Sequence, residues 1–293
     1  MDPWPDIERA IRETAVASFS IETRAGIGGG CINECHVIRG GKRAYFVKLN
    51  TPGRAEMFAA EAAGLAELGR TKTVRVPQPV CHGANREASW LVLEHLQLEP
   101  ADGKGMRALG VNLAHLHRAT RSRYGWNRDN TIGATPQVNT PADDWIAFWR
   151  ERRLGFQLEL AASRGHAGSL IENGRRLKQK LPAFFAGYSP APSLLHGDLW
   201  SGNAAMTEGG EPVIYDPAAY YGDREADLAM TELFGGFPPS FQDAYRAEYP
   251  LDAGYETRKH LYNLYHVLNH LNLFGGGYGA QAGRMIERLL AEV

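Results

Sequence analysis

The chain is poor in cysteine. Its 293 residues include only Cys31, Cys35 and Cys81, whose number and spacing make neither a zinc pattern nor a disulfide framework. A reducing, cytoplasmic setting is the expectation that follows. An excess of one charge is also missing. Lys and Arg number 32 against 33 Asp and Glu, a net charge of −1, so no basic field points to nucleic acid or an anionic membrane as partner. No apolar run reaches membrane-spanning length, and residues 1–6 lack the basic-then-apolar order of a secretion signal. Internal repeats and low-complexity tails are lacking too. What remains is an ordinary globular composition, 44% hydrophobic and 22% charged, in a chain long enough for two lobes around one cleft.

The most informative stretch is Leu194-Leu195-His196-Gly197-Asp198-Leu199-Trp200-Ser201-Gly202-Asn203. His196, Asp198 and Asn203 stand in the order H-x-D-x-x-x-x-N, the spacing of a kinase catalytic loop. Asp198 can take or orient the proton of an acceptor hydroxyl. Asn203, together with Asp216 in Val213-Ile214-Tyr215-Asp216-Pro217, can supply hard oxygens to magnesium. The turn signal Glu208-Gly209-Gly210-Glu211-Pro212, flanked by two short apolar runs, predicts a hairpin that brings Asn203 and Asp216 together. H-x-D alone is weak. The full spacing followed by a strand ending in Asp is much stronger.

Upstream, the spacing predicts a short amphipathic helix over residues 6–19. Gly26-Ile27-Gly28-Gly29-Gly30-Cys31 then forms a glycine-rich turn between extended stretches. Such a turn is either a plain hairpin or a place where backbone N–H groups approach phosphates, with Gly28, Gly29, Gly30 and Cys31 as the contacts. It is not a P-loop, because no Gly-Lys-Ser/Thr follows. A thiol at Cys31 beside bound phosphate would also be open to oxidation that blocks the loop. Residues 44–49 read as a strand with Lys48 embedded in it. Residues 54–68 read as a helix whose stripe of Met57, Phe58, Leu65 and Leu68 also includes Glu61, four residues from both Met57 and Leu65. An inward carboxylate needs a partner, and Lys48 is the obvious one, making a pair that would hold the lysine on nucleotide phosphates. Residues 90–96 read as a buried strand running into a hinge, where backbone around Glu94 and Leu96 would bond the adenine edge.

In the second half, Leu109, Leu113 and Leu116 mark a core helix over residues 106–118, with His115 and His117 exposed or satisfied within the core. Residues 127–139 read as a polar loop, and 143–160 as a helix with apolar residues nearly all round. Asp223, Arg224 and Glu225 read as a solvated charge run. Asp227 reads as a helix N-cap, or as a carboxylate bracing the catalytic loop. Residues 260–274 form a helix ended by Gly275, Gly276 and Gly277. One stripe of it is apolar, and Asn263, His266 and His270 fall on another. His266 is assigned to solvent and His270 to a polyol pocket. Trp200 is either a wall of that pocket or part of the core.

Taken together, these residues resemble the fructosamine kinase (ketosamine-3-kinase) family, within the aminoglycoside-phosphotransferase-like branch of the kinase fold. The resemblance runs along the whole chain, from Gly28-Gly29-Gly30-Cys31-Ile32 through Asn130-Thr131-Ile132-Gly133 and Thr135-Pro136-Gln137 to Asn269-His270-Leu271. The Trp200-containing loop, Thr135-Pro136-Gln137 and Asp216-Pro217-Ala218 are its most specific parts. Asp-Pro in place of Asp-Phe-Gly departs from protein kinases and argues against a Phe-flip switch. The resemblance implies an α+β, two-lobed kinase-like fold. Residues 1–95 would form an ATP-binding lobe, with a five-stranded antiparallel sheet and one key helix. Residues 96–293 would form a larger, mainly helical catalytic and acceptor-binding lobe. It also implies ATP and Mg2+ as cofactors, and transfer of phosphate to the C3 hydroxyl of a free or protein-bound ketosamine, a deglycation chemistry. A kinase for another hydroxyl acceptor (aminoglycoside, choline-like alcohol or sugar) and a nucleotide-binding pseudokinase are the alternatives. The intact set of Lys48, Glu61, Asp198, Asn203 and Asp216 argues against the latter.

Overall fold

The structure, a computed structural model, describes residues 2–28 and 32–293. Gly29, Gly30 and Cys31, with the phosphate contacts and the thiol oxidation expected of them, lie outside the described residues.

Helix α1 (Trp4–Thr14) leads into a five-stranded antiparallel sheet. Its strands are β1 (Thr23–Ile27), β2 (Glu34–Gly40), β3 (Arg43–Asn50), β4 (Pro79–Ala84) and β5 (Ser89–Glu94), in the spatial order β1-β2-β3-β5-β4. The helix α2 (Ala55–Arg70) lies between β3 and β4 in sequence. Strand alternation sorts the two faces. Tyr45, Val47 and Leu49 of β3 join Trp90 and Val92 of β5 in a core closed by Ile7 and Ile11 of α1. Leu91 and Leu93 point the other way, into the core beneath α2. Lys48 therefore faces α2 by register alone, and it is 3% exposed. Helix α1 stops short of the predicted residue 19 because the chain turns back. Arg12 Nε donates to the Phe19 carbonyl at 2.6 Å, and the Phe19 ring packs against Tyr45.

The core under α2 is continuous with that of the second half. A short strand β6 (Leu98–Glu99) leads to α3 (Gly103–Leu116), and then to the hairpin β7 (Asn130–Ile132) and β8 (Thr135–Gln137). Residues 127–139 are thus a hairpin with buried Asn130, Gln137 and Asn139 rather than a plain polar loop. Their amides hold other backbone, as described below. The expected helix over 143–160 is interrupted. Helix α4 (Trp145–Phe148), started by Asp144 accepting from Ala147 N–H at 2.6 Å, passes through a π-helical segment (Trp149–Gly155) into α5 (Phe156–Ser163). Helix α6 (Ser169–Phe184) follows, then β9 (Ser193–Leu195), the hairpin β10 (Ala204–Thr207) and β11 (Pro212–Ile214), β12 (Tyr220–Gly222), α7 (Glu225–Thr231), α8 (Pro239–Glu248), α9 (Tyr255–Phe274) and α10 (Tyr278–Ala291). Among the described residues, no helix is long and apolar enough to cross a membrane.

Two sequence expectations fail through burial. Asp223, Arg224 and Glu225 are not solvated: Asp223 and Glu225 are fully buried. Arg258 of α9 meets Glu225 with two nitrogens at 2.7 and 2.9 Å, Tyr188 and Tyr262 donate to Asp223, and Arg224 donates to Tyr245 and two carbonyls. Partners far away in sequence make burial tolerable. His266 is likewise buried at 5% exposure, because α9 is enclosed along most of its length. Asp227 is not the N-cap of α7, since the helix begins at Glu225 and places Asp227 within its first turn.

Helix α3 packs closely on α8. A Cβ on Gly110 would lie 2.4 Å from the Phe241 carbonyl oxygen. Gly110→Ala is expected to destabilise the protein by about 2 kcal/mol or more, measured as a lower urea midpoint with an unchanged m-value.

Candidate active site

Catalytic-loop backbone and metal-loop backbone are tied together. Ala218 N–H donates to the His196 carbonyl at 2.9 Å and Tyr215 N–H to the Asn203 carbonyl at 3.1 Å. His196 Nε2–H donates to the Tyr215 carbonyl at 2.9 Å. Gly197 sits at φ +82°, and a Cβ there would be 2.2 Å from the Ala218 oxygen, so only glycine allows this approach. Beneath the loop, the buried Asp227 accepts from the N–H groups of His196 (2.7 Å) and Gly197 (2.8 Å), and His117 lies 3.2 Å away. Burial pushes Asp227 up, but His117, His196 and the Gly197 N–H outweigh it and hold the carboxyl below its ordinary value.

The β7–β8 hairpin holds the other side. Asn130 Nδ2 donates to the Ala219 carbonyl at 2.8 Å and Gln137 Nε2 to the Ala218 carbonyl at 3.0 Å. Gln137 in turn accepts from Tyr265. Arg153, turned inward by the π-helical segment and fully buried, donates to Asn139 Oδ1 at 2.7 Å and to the Val138 carbonyl. This Arg153 support and the Asn130–Gln137 brackets were not foreseen as parts of the site. Their signal was the run of Asn, Thr and Gln in a stretch read as a polar loop and, at 130–133 and 135–137, as part of the family resemblance.

Lys48 Nζ lies 2.6 Å from Glu61 Oε1 and 2.6 Å from Asp216 Oδ1. Burial alone pushes the ammonium down, but the two carboxylates outweigh it and raise its pKa above the ordinary value. Asp216 adopts φ +58°, a left-handed conformation that Asp tolerates better than most residues. Glu61 cannot swing away easily, because α2 is clamped to the second half. Glu67 Oε1 accepts from Arg121 and Tyr221 at 2.7 Å each, and Arg128 donates to the Ala59 carbonyl.

Asp198 stands at the mouth of this assembly with its side chain 23% exposed. Burial, then Asp216, then Asp227 push its pKa up to about 7, against the lowering effect of Asn203. Asn203 Nδ2 donates to the Asp198 carbonyl at 2.9 Å, which leaves its Oδ1 available. The Trp200 indole is 38% exposed and lies over Gly202, where a Cβ would be 2.3 Å from the ring. Trp200 is therefore not core. His270 is half-buried and donates from Nδ1 to the His266 carbonyl at 2.9 Å. Gly28 is exposed at the end of β1. Glu94 has both carboxylate oxygens occupied, by Arg75 and by the Gln78 N–H. Leu96 lies between β5 and β6.

Comparison with known proteins assigns the chain to a family. The fructosamine kinase family profile covers residues 3–292. The chain belongs to the fructosamine kinase family. A Synechocystis protein named "Probable ketoamine kinase" is 49% identical over 98% of this chain and 97% of its own. The chloroplastic protein-ribulosamine 3-kinase of Arabidopsis thaliana is 43% identical over 97% and 88%. The crystal structure of a Haemophilus somnus protein, "Putative fructosamine-3-kinase", superposes with a TM-score of 0.90 at 30% identity, covering 98% of this chain and 97% of that one. As a fructosamine kinase family member the chain is an ATP-dependent phosphotransferase acting on a hydroxyl group, and its fold is the two-lobed kinase-like α+β fold.

Asp198 has its folded-state pKa raised to about 7 from an ordinary 3.8, so its contribution to stability is present below pH 3.8 and is lost as pH rises through 7. Asp198→Asn is therefore expected to raise the melting temperature of the ligand-free protein at pH 8 by about 2 °C or more, and much less at pH 5, by scanning calorimetry. Asp227→Ala strands two buried N–H groups and is expected to cost about 3 kcal/mol, measured by urea unfolding.

Proposed function

We propose that the chain phosphorylates the C3 hydroxyl of ketosamines, the adducts formed when a sugar glycates an amine, using ATP with Mg2+ in the cytoplasm as a deglycation enzyme. We further propose that residues 1–95 form the ATP-binding lobe and residues 96–293 the catalytic and acceptor lobe. The observation that carries the reading is the convergence of Asp198, Asn203, Asp216 and Lys48 at one mouth, in a chain 43% identical to a protein-ribulosamine 3-kinase.

The donor set suits a hard divalent cation. Asn203 keeps Oδ1 unused, and Asp216 offers a carboxylate whose side chain is 45% exposed. These two residues would hold Mg2+, which when bound neutralises phosphate charge. Lys48, fixed by Glu61, binds nucleotide phosphate. Gly28 approaches the phosphates through its backbone N–H. Among the described residues, His95 and Leu96 donate no backbone hydrogen bond within the protein, which suits main-chain recognition of an adenine edge beside Glu94. Asp198 accepts the proton of the attacking hydroxyl, and its raised pKa places it near the range in which a carboxylate acts as a base at neutral pH. Trp200 offers an apolar wall to the acceptor, with His270 farther out. His196 and Asp227 position the loop. Most of the rate then comes from orientation and charge stabilisation.

The test is ADP release with Mg-ATP against a ribulosamine, a fructosamine, an aminoglycoside, choline and free ribose. Turnover on the ketosamines is expected, with kcat lowered at least about 100-fold in Asp198→Asn and nucleotide affinity kept. Turnover confined to another acceptor would discard the substrate class, and unchanged kcat in Asp198→Asn would discard the base.

A further inference from the structure

The π-helical segment that turns Arg153 inward also forms one wall of a cavity outside the catalytic cleft. Arg150 and Glu151 of that segment and Arg175, Lys178 and Gln179 of α6 line a space of about 590 Å³. The charge of this region is lopsided. Residues 150–180 hold eight Lys and Arg against three Asp and Glu, in a chain whose net charge is −1. Of the eight, only Arg153 is buried. The others are half-buried or exposed, and three of them meet at the cavity.

Those three cations are poorly neutralised by the protein itself. Arg150 Nε donates to the Lys178 carbonyl at 3.2 Å. That bond ties the two walls together and leaves both terminal nitrogens of the guanidinium without a partner among the described residues. Arg175 is exposed and has no hydrogen bond or ion pair among them either. Lys178 is the most enclosed, with its side chain 19% exposed. Its one carboxylate contact among the described residues is long, 3.5 Å to Glu151 Oε2, on a side chain that is itself 56% exposed. The ammonium lies against the π-helical turn. A Cβ on Gly155 would be 2.7 Å from Lys178 Nζ and 2.5 Å from the Arg150 carbonyl oxygen. A glycine at that point lets the lysine seat itself at the cavity wall, and π-helical turns recur at functional sites.

Like charges gathered this closely repel one another, and an enclosed ammonium with unused N–H donors is incompletely satisfied. A bound anion relieves both. Arginine presents paired N–H donors that match a tetrahedral oxyanion, and lysine adds a compact point charge. A phosphate monoester suits three converging cations better than a carboxylate does, because it offers three acceptor oxygens and nearly two negative charges. The volume is that of a small-molecule pocket. We propose that this cavity binds a small phosphate monoester, with Arg150, Arg175 and Lys178 around the phosphate and Gln179 as a neutral donor and acceptor for the rest of the molecule. The site is separate from the transfer reaction, whose own phosphate-binding cation is Lys48.

The test is calorimetric titration of glycerol 3-phosphate into the protein saturated with Mg-ADP, so that the catalytic cleft is already occupied. One equivalent is expected to bind. Arg175→Ala and Lys178→Gln are each expected to weaken binding about ten-fold or more. Glu151→Gln removes the one carboxylate at the cavity and is expected to tighten binding, a gain that a merely structural role would not give. Arg176→Ala, the next residue of α6 and outside the cavity, is expected to leave the affinity unchanged, and melting temperatures confirm that all four variants are folded. No binding by wild type at about 10 mM ligand overturns the site. Affinity unchanged in both Arg175→Ala and Lys178→Gln overturns it too. Equal weakening by Arg176→Ala and Arg175→Ala would show diffuse attraction to a basic face in place of a pocket. Tighter binding of a phosphoserine heptapeptide than of glycerol 3-phosphate would overturn the small-molecule assignment.

Discussion

Everything in the cleft is arranged around a concentration of like charge. Asp216 and Asp227 lie close enough to Asp198 to raise its cost of ionisation, with the Lys48 ammonium as the counter-charge inside the cluster. Repulsion among closely spaced carboxylates is unfavourable in the free protein. Here it is divided unequally. Asp227 is rescued by two backbone N–H groups and His117 and stays ionised. Asp216 leans on Lys48. Asp198, with only Asn203 to help it, is left with its pKa raised to about 7. The least compensated carboxylate is the one at the mouth, where a substrate hydroxyl would arrive.

Holding such a cluster requires rigid surroundings, and the rest of the fold supplies them. The hairpin of Asn130 and Gln137 grips the backbone at Ala218 and Ala219 from one side, and Asp227 grips His196 and Gly197 from the other. Glu67 locks α2 to Arg121 and Tyr221. The helix carrying Glu61 is therefore part of a core continuous with the second half, and the Lys48–Glu61 pair is assembled without a separate activating segment. Arg153 reaches the same network through the π-helical segment. It meets neutral amide and carbonyl oxygens and the faces of Phe148 and Tyr220.

Much of this was legible where the information is local. The spacing from His196 to Asn203 and the turn before Asp216 follow from short-range pattern, whereas the five-strand sheet was what the family resemblance implied. The approach of Glu61 to Lys48 follows from strand alternation and helix periodicity, each acting within a few residues. What escaped depends on partners distant in the chain. The buried charges at 223–225 are satisfied by Arg258 and Tyr262, and nothing in the run itself announces them. The burial of His266 depends on how much of α9 the second half encloses. Lys48 bridging to Asp216 depends on two segments 168 residues apart. Amides at 130, 137 and 139 looked like loop composition because a side chain that supports another segment's backbone leaves no periodic signature.

The central claim is that burial, reinforced by the charges of Asp216 and Asp227, raises the pKa of Asp198 to about 7. Calorimetry of Mg-ADP binding, run in buffers of different ionisation enthalpy, tests it directly. Charge neutralisation at Asp216 would lower the pKa of Asp198 and expel its proton. The account predicts release of about half a proton per site at pH 7, falling to none near pH 9, and abolished in Asp198→Asn. Binding heats that do not depend on the buffer at pH 7, or the same release in Asp198→Asn, would contradict it.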